Sequence, residues 1–238
     1  MMLPLLLLPG MLCDGAAWAH QIAGLRDVCA PQLVAYGTLD SIDAMAQAAL
    51  AAAPPIFAVA GHSMGGRVAQ RIVACAPQRV AKLALLGTDF RGHADAAARA
   101  EEVARHETRE DLAEREGMAG FGRAWARQVV SPSRLGDEAL LDAVAAMTAR
   151  HSLAQLEAQQ RAGLNRPDFT DLLPRIACPA LVIAGADDTM RTVETHREIA
   201  ARLAGSTLVV LDGCGHMMTL EQPDPVTAAM RHWIEPGA

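Results

Sequence analysis

The stretch GHSMG at positions 61–65 is the clearest candidate for chemistry, because a serine flanked by two spaced glycines can act as a nucleophile. The apolar run Ile56–Ala60 precedes it and a helical pattern follows it, which is the strand–turn–helix context that this motif requires. On such a sharp turn, only small residues two positions before and after the serine avoid a steric collision. The helix that follows also directs its N-terminal dipole at the reacting centre, where it favours negative charge. The motif predicts a nucleophilic Ser63; the alternative is a glycine-rich turn with an incidental serine.

A serine is a poor nucleophile without a base, and eight histidines could supply one. His216 lies in LVVLDGCGHMMTLEQP, directly after the last apolar run, and loops at the carboxyl ends of parallel strands form the sites of open sheets. His62 adjoins Ser63, but neighbouring side chains on a turn rarely face each other. His93, at the start of the segment without strands, is a weaker candidate than His216. The others lie in predicted helices, where we expect surface or structural roles: His20, His106, His151, His196 and His232.

The base in turn needs a carboxylate to fix its tautomer. The stretch ALVIAGADDTM ends a predicted strand and offers Asp187 and Asp188, between which composition does not choose. Asp89 follows another strand and is a third candidate. Asp212 is near His216 in sequence, but aspartate is also a common turn residue.

The elements that must position these residues alternate between strands and helices, which predicts βαβ units and a parallel sheet. The apolar runs are Leu3–Leu8, Gln32–Ala35, Ile56–Ala60, Lys82–Leu86, Ala180–Ala184 and Thr207–Leu211. The helical stretches between them are Ala17–Arg26, Ser41–Ala53, Met64–Ala76, Val193–Ala204 and Pro225–Trp233. From about Gly92 to Asp168 there is no good strand candidate, and the length of this segment favours a lid of about three helices over further helices covering the sheet.

Four stretches together resemble the α/β-hydrolase superfamily, and in particular its small, capped carboxylesterases and enol-lactonases: LPGM, GHSMGG, CPALVIAGADD and GCGHMMTLEQPDPV. The resemblance covers nearly the whole chain. It implies an α/β fold with a mostly parallel sheet, helices on both faces and a helical cap inserted after the strand at about 82–87. Residues 1–91 and 169–238 would form the core domain, and residues 92–168 the cap.

The same resemblance implies roles for individual residues. The catalytic acid of the family usually falls three residues after the glycine that ends its strand, which favours Asp188, three residues after Gly185. The oxyanion would be held by the backbone N–H groups of Met11 and Met64. The family's first strand usually ends in His-Gly, whereas this chain has Pro9-Gly10, so the geometry of the first donor is open.

Bulk composition excludes several classes of function. The 238 residues are 51% hydrophobic with a net charge of −6, which allows a large core and gives no basic footprint for nucleic acid. The five cysteines are scattered without a CxxC pair, so we expect reduced thiols in a cytoplasmic protein and neither a disulfide framework nor a zinc site. The leucine-rich start lacks a basic n-region and contains Pro4, so we interpret it as a core strand and not as a signal peptide. No run is long enough to span a membrane.

These residues predict a serine hydrolase that cleaves a small carboxylic ester or lactone through an acyl-enzyme, without a metal or organic cofactor. The alternatives are a lyase or C–C bond hydrolase with the same triad, or a fold that only binds a ligand. Phe121, Trp125 and Arg161 are candidates for the substrate pocket. The arginines at positions 123, 127, 161 and 166 could each bind a substrate carboxylate. For each of them, a solvated charge on a helix is the simpler interpretation. The segment 166–168 could be a hinge or a structural turn. The oligomeric state is open.

Overall fold

The structure, a computed structural model, describes residues 2–235, which form one six-stranded parallel sheet flanked by helices. The strands lie in the order β2-β1-β3-β4-β5-β6. Their bounds are β1 (Leu3–Leu8), β2 (Cys29–Leu33), β3 (Phe57–His62), β4 (Val80–Leu86), β5 (Ala180–Gly185) and β6 (Thr207–Leu211). The parallel sheet with helices on both faces confirms the predicted fold class.

The strands alternate their side chains between two hydrophobic cores, one on each face of the sheet. In β1, Leu5 and Leu7 enter one core while Leu6 and Leu8 enter the other. Because both faces are covered, the strands are nearly continuous in apolar residues, as expected for a parallel sheet. The leucine-rich stretch at residues 3–8 is therefore a buried strand between β2 and β3.

Nine α-helices occupy the rest of the described chain, with short 3-10 turns at Gly15–Trp18, Pro77–Arg79, Pro132–Arg134 and Leu173–Arg175. Their bounds are α1 (Ala19–Leu25), α2 (Ile42–Ala52), α3 (Met64–Cys75), α4 (Ala96–Val129), α5 (Glu138–Ala149), α6 (Leu153–Leu164), α7 (Val193–Arg202), α8 (Met218–Glu221) and α9 (Pro223–Ile234). Residues of α1, α4, α5, α8 and α9 belong to one core, and residues of α2, α3 and α7 to the other. Among residues 2–235, no helix has the combination of length and apolar character that crossing a membrane requires.

Between β4 and β5, the segment 92–168 contains α4, α5 and α6 and no strand, and it forms a helical insertion in the order of the sheet. Helix α4 bends at Gly117, whose φ of 68° and ψ of 171° leave the helical region. Glycine adopts this conformation without the steric cost that a Cβ would add. Two hydrogen bonds join the insertion to the carboxyl end of the sheet. The backbone N–H groups of His216 and Met217, in the loop after β6, donate to Val129 O at the end of α4, at 2.9 and 3.2 Å.

Two predicted strand positions are wrong. Strand β2 spans Cys29–Leu33 and not Gln32–Ala35, because its pairing with β1 ends at Leu7 and Leu33. The apolar residues after Leu33 pack beside the sheet as a loop, and Pro31 is tolerated because β2 is an edge strand. Strand β3 begins at Phe57, and Ile56 is half-exposed before it.

The sheet order reverses between β1 and β3, since the chain passes from β1 to the edge at β2 and then returns to β3. Open parallel sheets bind ligands outside the carboxyl ends of their strands, at such a reversal. The loop after β1 and the turn after β3 both lie there, which brings the LPGM and GHSMGG stretches together.

Candidate active site

Ser63 occupies the turn between β3 and α3, with a φ of 54° and a ψ of −115°. Positive φ is uncommon for a residue with a Cβ and stores local strain. Two hydrogen bonds hold the turn: Ser63 N–H donates to Leu86 O at 2.8 Å, and the Thr88 hydroxyl donates to Ser63 O at 2.7 Å. Leu86 is the last residue of β4 and Thr88 follows it two residues later, so the end of a central strand fixes the backbone of the serine.

The glycines at 61 and 65 are required by close backbone approach. A Cβ on Gly61 would lie 2.2 Å from Gly65 O, and a Cβ on Gly65 would lie 2.1 Å from Leu8 O. Neither contact can be relieved by a side-chain movement, because backbone atoms are involved. The motif therefore needs glycine at both positions for the steric reason expected from the sequence. The close approach at Gly65 is to the backbone at the end of β1.

His216 faces Ser63 from the loop between β6 and α8. Its Nε2 lies 2.9 Å from Ser63 Oγ, and its Nδ1 lies 2.7 Å from Asp188 Oδ2. Because an ionised carboxylate only accepts hydrogen bonds, Nδ1 carries the proton and Nε2 can accept the serine hydroxyl. Ser63, His216 and Asp188 thus form one hydrogen-bonded chain, with each distance in the range for proton transfer.

Asp188 is buried in the loop after β5, and its other oxygen is also occupied. Oδ1 accepts the N–H groups of Met190 at 2.8 Å and Arg191 at 2.9 Å. Burial alone raises the pKa of Asp188, but the neighbouring His216 and the hydrogen bonds to the carboxylate outweigh it, and the pKa lies below its ordinary value. The side chain is held in one orientation as an anion.

The neighbouring Asp187 turns away from the histidine, and its Oδ2 accepts the hydroxyl of Ser131 at 2.6 Å. Asp89 lies beside Arg67, with 3.6 Å between Oδ2 and Nη2. The structure thus brings Asp188 to His216 and neither of these two alternatives.

The backbone N–H groups of Met11 and Met64 face no protein acceptor within residues 2–235. Met64 is the first residue of α3, where a helix leaves its N–H groups unpaired. Met11 lies in the loop after β1 that packs against the turn: a Cβ on Gly10 would lie 3.3 Å from Ser63 Cβ. Both amides can donate to a ligand, and their role as oxyanion donors stays a prediction.

Glu221 in α8 organises the loop that carries His216, a role that sequence reasoning missed. Its Oε2 accepts the N–H groups of Ser131 and Gly215 at 2.9 Å each, and its Oε1 accepts Met217 N–H at 3.0 Å. Burial raises the pKa of this carboxyl, and the three N–H groups oppose that shift. The residue falls inside GCGHMMTLEQPDPV, but the contacts that give it a role come from two separate loops.

His62 is buried next to the site, with 1% of its surface exposed. Its Nε2 lies 2.8 Å from His216 O, so Nε2 carries the proton and donates to this carbonyl. Burial, and next the neighbouring His216, lower the pKa of His62 to about 3. His62 is therefore a neutral support for the backbone of His216 and does not act as the base.

A cavity opens above Ser63 and His216, with an empty space of about 700 Å³ when its mouth is included. Trp125 of the helical insertion lines it, as proposed from the sequence. Phe121 is buried behind Trp125, with 5.9 Å between the ring centroids, and does not line the cavity.

The expectation for Arg161 needs correction. Its guanidinium is half-exposed on the outer side of α6, near Asp40 at 3.8 Å and Glu157 at 4.0 Å. Four other arginines line the cavity instead: Arg67, Arg109, Arg166 and Arg191. Within the described chain, no cluster of histidine, cysteine and carboxylate side chains has the arrangement of a metal site.

Comparison with known proteins places this geometry in context. The model of the Alpha/beta hydrolase family matches residues 5–229. The chain is 29% identical to 3-oxoadipate enol-lactonase 2 of Acinetobacter baylyi, over 74% of this chain and 61% of that protein. It is also 29% identical to a pimeloyl-[acyl-carrier protein] methyl ester esterase of Xanthomonas campestris pv. campestris, over 79% of this chain and 74% of that protein. The chain spans less than two thirds of the length of the first curated relatives that it matches.

Among solved structures, a thermophilic esterase from Thermogutta terrifontis in a malate-bound form superposes with a TM-score of 0.84. The two are 26% identical, and the superposition covers 98% of this chain and 89% of the esterase.

Proposed function

The chain belongs to the α/β-hydrolase family, and we propose that it is a serine hydrolase that cleaves small carboxylic esters or lactones. The observation that carries this proposal is the hydrogen-bonded chain from Asp188 through His216 to Ser63. The similarity to an enol-lactonase and to two esterases supports the same class of reaction.

In the proposed reaction, Ser63 Oγ attacks the carbonyl carbon and its proton passes to His216 Nε2. Asp188 stabilises the imidazolium and keeps Nδ1 protonated. The oxyanion accepts the N–H groups of Met11 and Met64, and a single donor of this kind contributes about 3 kcal/mol in other hydrolases. His216 then returns the proton to the leaving oxygen, and a water molecule, activated by the same histidine, hydrolyses the acyl-enzyme. Apart from the substrate and the attacking water, every group in this scheme is a side chain or backbone amide of the protein.

The helical insertion would act as a cap that shapes the acyl site. Trp125 of α4 and Gln159 of α6 line the cavity from this side, opposite Ser63. We propose residues 92–168 as this cap and residues 1–91 and 169–238 as the core domain.

The test is turnover of p-nitrophenyl esters of increasing acyl length by the wild-type protein and by Ser63→Ala. We expect kcat to fall by about 10³-fold or more in Ser63→Ala, because the nucleophile is lost while the fold remains. Ser206→Ala is a matched control, since the Ser206 hydroxyl bonds only to Ala200 O within the described chain, and it should keep wild-type turnover.

Equal turnover by Ser63→Ala and wild type would exclude a nucleophilic Ser63. Absence of turnover at every length, with retained binding of a small ligand, would favour a binding role or a lyase.

A further inference from the structure

The cavity above Ser63 has an excess of positive charge. Four arginines line it, and they have two carboxylate partners: Asp89 beside Arg67, and Glu102, which accepts Arg166 Nη1 at 2.7 and 2.8 Å. Four positive charges and two negative ones leave two uncompensated cations, Arg109 and Arg191. The nearby His106 does not add to this charge, because burial lowers its pKa to about 4.

Arg109 is held in place without an anionic partner. Its guanidinium lies over the ring of Trp125, with 4.8 Å from Cζ to the ring centroid. Within residues 2–235 it makes neither a hydrogen bond nor an ion pair. Stacking uses the face of a guanidinium and leaves the N–H groups at its edge free to donate. A partly buried cation with free donors on a cavity wall is suited to an anionic ligand.

Arg191 lines the same cavity from the loop that carries Asp188. One of its nitrogens, Nη1, donates to Met190 O at 2.7 Å, and no carboxylate of the described chain pairs with it. The positive charge of Arg191 lowers the pKa of two of the other arginines. Burial is the largest cause in both cases, and the charge of Arg191 adds to it. The pKa of Arg67 falls to about 9, and that of Arg109 also lies below its ordinary value. Arg191 therefore repels both Arg67 and Arg109 in the protein alone.

We propose that Arg109 and Arg191 bind a free carboxylate group of the substrate, so that the preferred substrates are esters or lactones that carry a second, unesterified carboxylate. This inference rests on the proposed function and names its substrate class. A carboxylate between the two guanidinium groups forms charge-assisted hydrogen bonds and compensates the positive excess. It also anchors one end of the substrate on the cavity wall while the ester carbonyl reaches Ser63.

The test compares two esters that differ by one charge: monomethyl glutarate, a half-ester with a free carboxylate, and neutral dimethyl glutarate. The readout is the ratio of kcat/KM for the half-ester to kcat/KM for the diester. We expect the wild-type ratio to exceed one and to fall by about 10- to 100-fold in Arg109→Gln and in Arg191→Gln, as for loss of hydrogen bonds to a charged group. The control Arg197→Gln removes an exposed arginine paired with Glu194, and should keep the wild-type ratio.

A second measurement separates this proposal from the function on which it rests. Calorimetric titration of the wild-type protein with glutarate, a dicarboxylate with no ester to cleave, should show binding that is lost in both cavity variants. Glutarate binding without hydrolysis of either ester would keep the carboxylate site and reject the ester hydrolase. If the esters are hydrolysed, but the half-ester-to-diester ratio of kcat/KM is below one and neither variant changes it, the carboxylate site is rejected and the ester hydrolase is kept.

Two further results would overturn the proposal. One is the absence of both glutarate binding and any hydrolysis. The other is tighter binding of inorganic phosphate than of glutarate, which would assign the arginines to a phosphate group. Arg109 lies in a helix and Arg191 in a loop, so the two substitutions disturb different elements of the fold. If one variant folds poorly, the other still tests the site.

Discussion

The backbone N–H of Leu12 donates a 2.8 Å hydrogen bond to the side-chain Oε1 of Gln159, 147 residues later in the chain. Leu12 has a φ of 54° and directly follows Met11, whose N–H is the proposed first oxyanion donor. A second contact joins the same loop to the insertion, where Arg150 pairs with both oxygens of Asp14 at 2.7 and 2.9 Å. The helical insertion therefore holds the loop after β1 in place as well as lining the cavity.

We expect Gln159→Leu to lower kcat about 10-fold, because it leaves the buried Leu12 N–H without an acceptor, at a cost of about 1–3 kcal/mol, and loosens the Met11 amide. Gln159→Glu keeps a side-chain oxygen at this position and should restore part of the rate. Arg161→Gln, on the exposed side of the same helix, should not change kcat. Steady-state kinetics on one p-nitrophenyl ester measures all three, and a wild-type kcat in Gln159→Leu would contradict the proposed link.

Asp188 and Asp187 form a matched pair for testing the acid. Asp188→Asn removes the carboxylate that holds the His216 tautomer, and we expect kcat and kcat/KM to fall by about 10⁴-fold, the loss in kcat seen for the same change in another triad. Asp187→Asn keeps an oxygen that can accept the Ser131 hydroxyl, so its kcat/KM should stay within about 3-fold of wild type. The two kcat/KM values decide the assignment, and similar losses in both variants would contradict it. Circular dichroism of both variants checks that the fold is retained.

Glu221 tests how far the His216 loop depends on a single carboxylate. In Glu221→Gln, an NH₂ group replaces one of the two oxygens that accept three N–H groups, so a donor faces a donor. We expect a loss of about 1–3 kcal/mol in the free energy of unfolding and a fall in kcat of about 10-fold. Urea denaturation and ester kinetics measure these effects. The exposed Glu194→Gln is the control, and identical behaviour of the two variants would show that the loop does not need the carboxylate.

The sequence could predict what depends on local pattern. GHSMG specifies its turn because backbone atoms leave no room for a Cβ at 61 and 65, and alternating strands and helices specify the parallel sheet. The choice of Asp188 over Asp187 needed the family resemblance, since adjacent residues of one type differ only in the direction of their side chains.

Other features could not be predicted, because they depend on contacts between distant segments. Nothing in the local sequence of Arg67 predicts that it is buried on the cavity wall, whereas Arg161, a candidate for the substrate pocket, is half-exposed on the outer side of α6. The strand β2 was misplaced because an apolar loop follows it. The hydrogen bonds of Glu221 and Gln159 join segments far apart in sequence, and no local periodicity records them.

Stability at acid pH tests the buried, neutral His62. In the unfolded chain a histidine binds a proton below about pH 6.5, whereas the folded His62 resists it down to about pH 3. Between these values the unfolded state binds one proton more, so the stabilising contribution is complete above pH 6.5 and is lost as the pH falls. The expected slope from this residue is about 1.4 kcal/mol per pH unit.

His62→Gln keeps an N–H that can donate to His216 O and removes the titration, so we expect its free energy of unfolding to depend less steeply on pH, by about 1.4 kcal/mol per unit between pH 4 and 6. His106, with a pKa of about 4, adds a similar contribution that ends near pH 4. His106→Gln should therefore flatten the curve above pH 4, and His62→Gln should flatten it to lower pH as well. Urea denaturation at intervals from pH 3.5 to 7 measures the slopes, and parallel curves for wild type and His62→Gln would show that His62 is protonated in the folded protein.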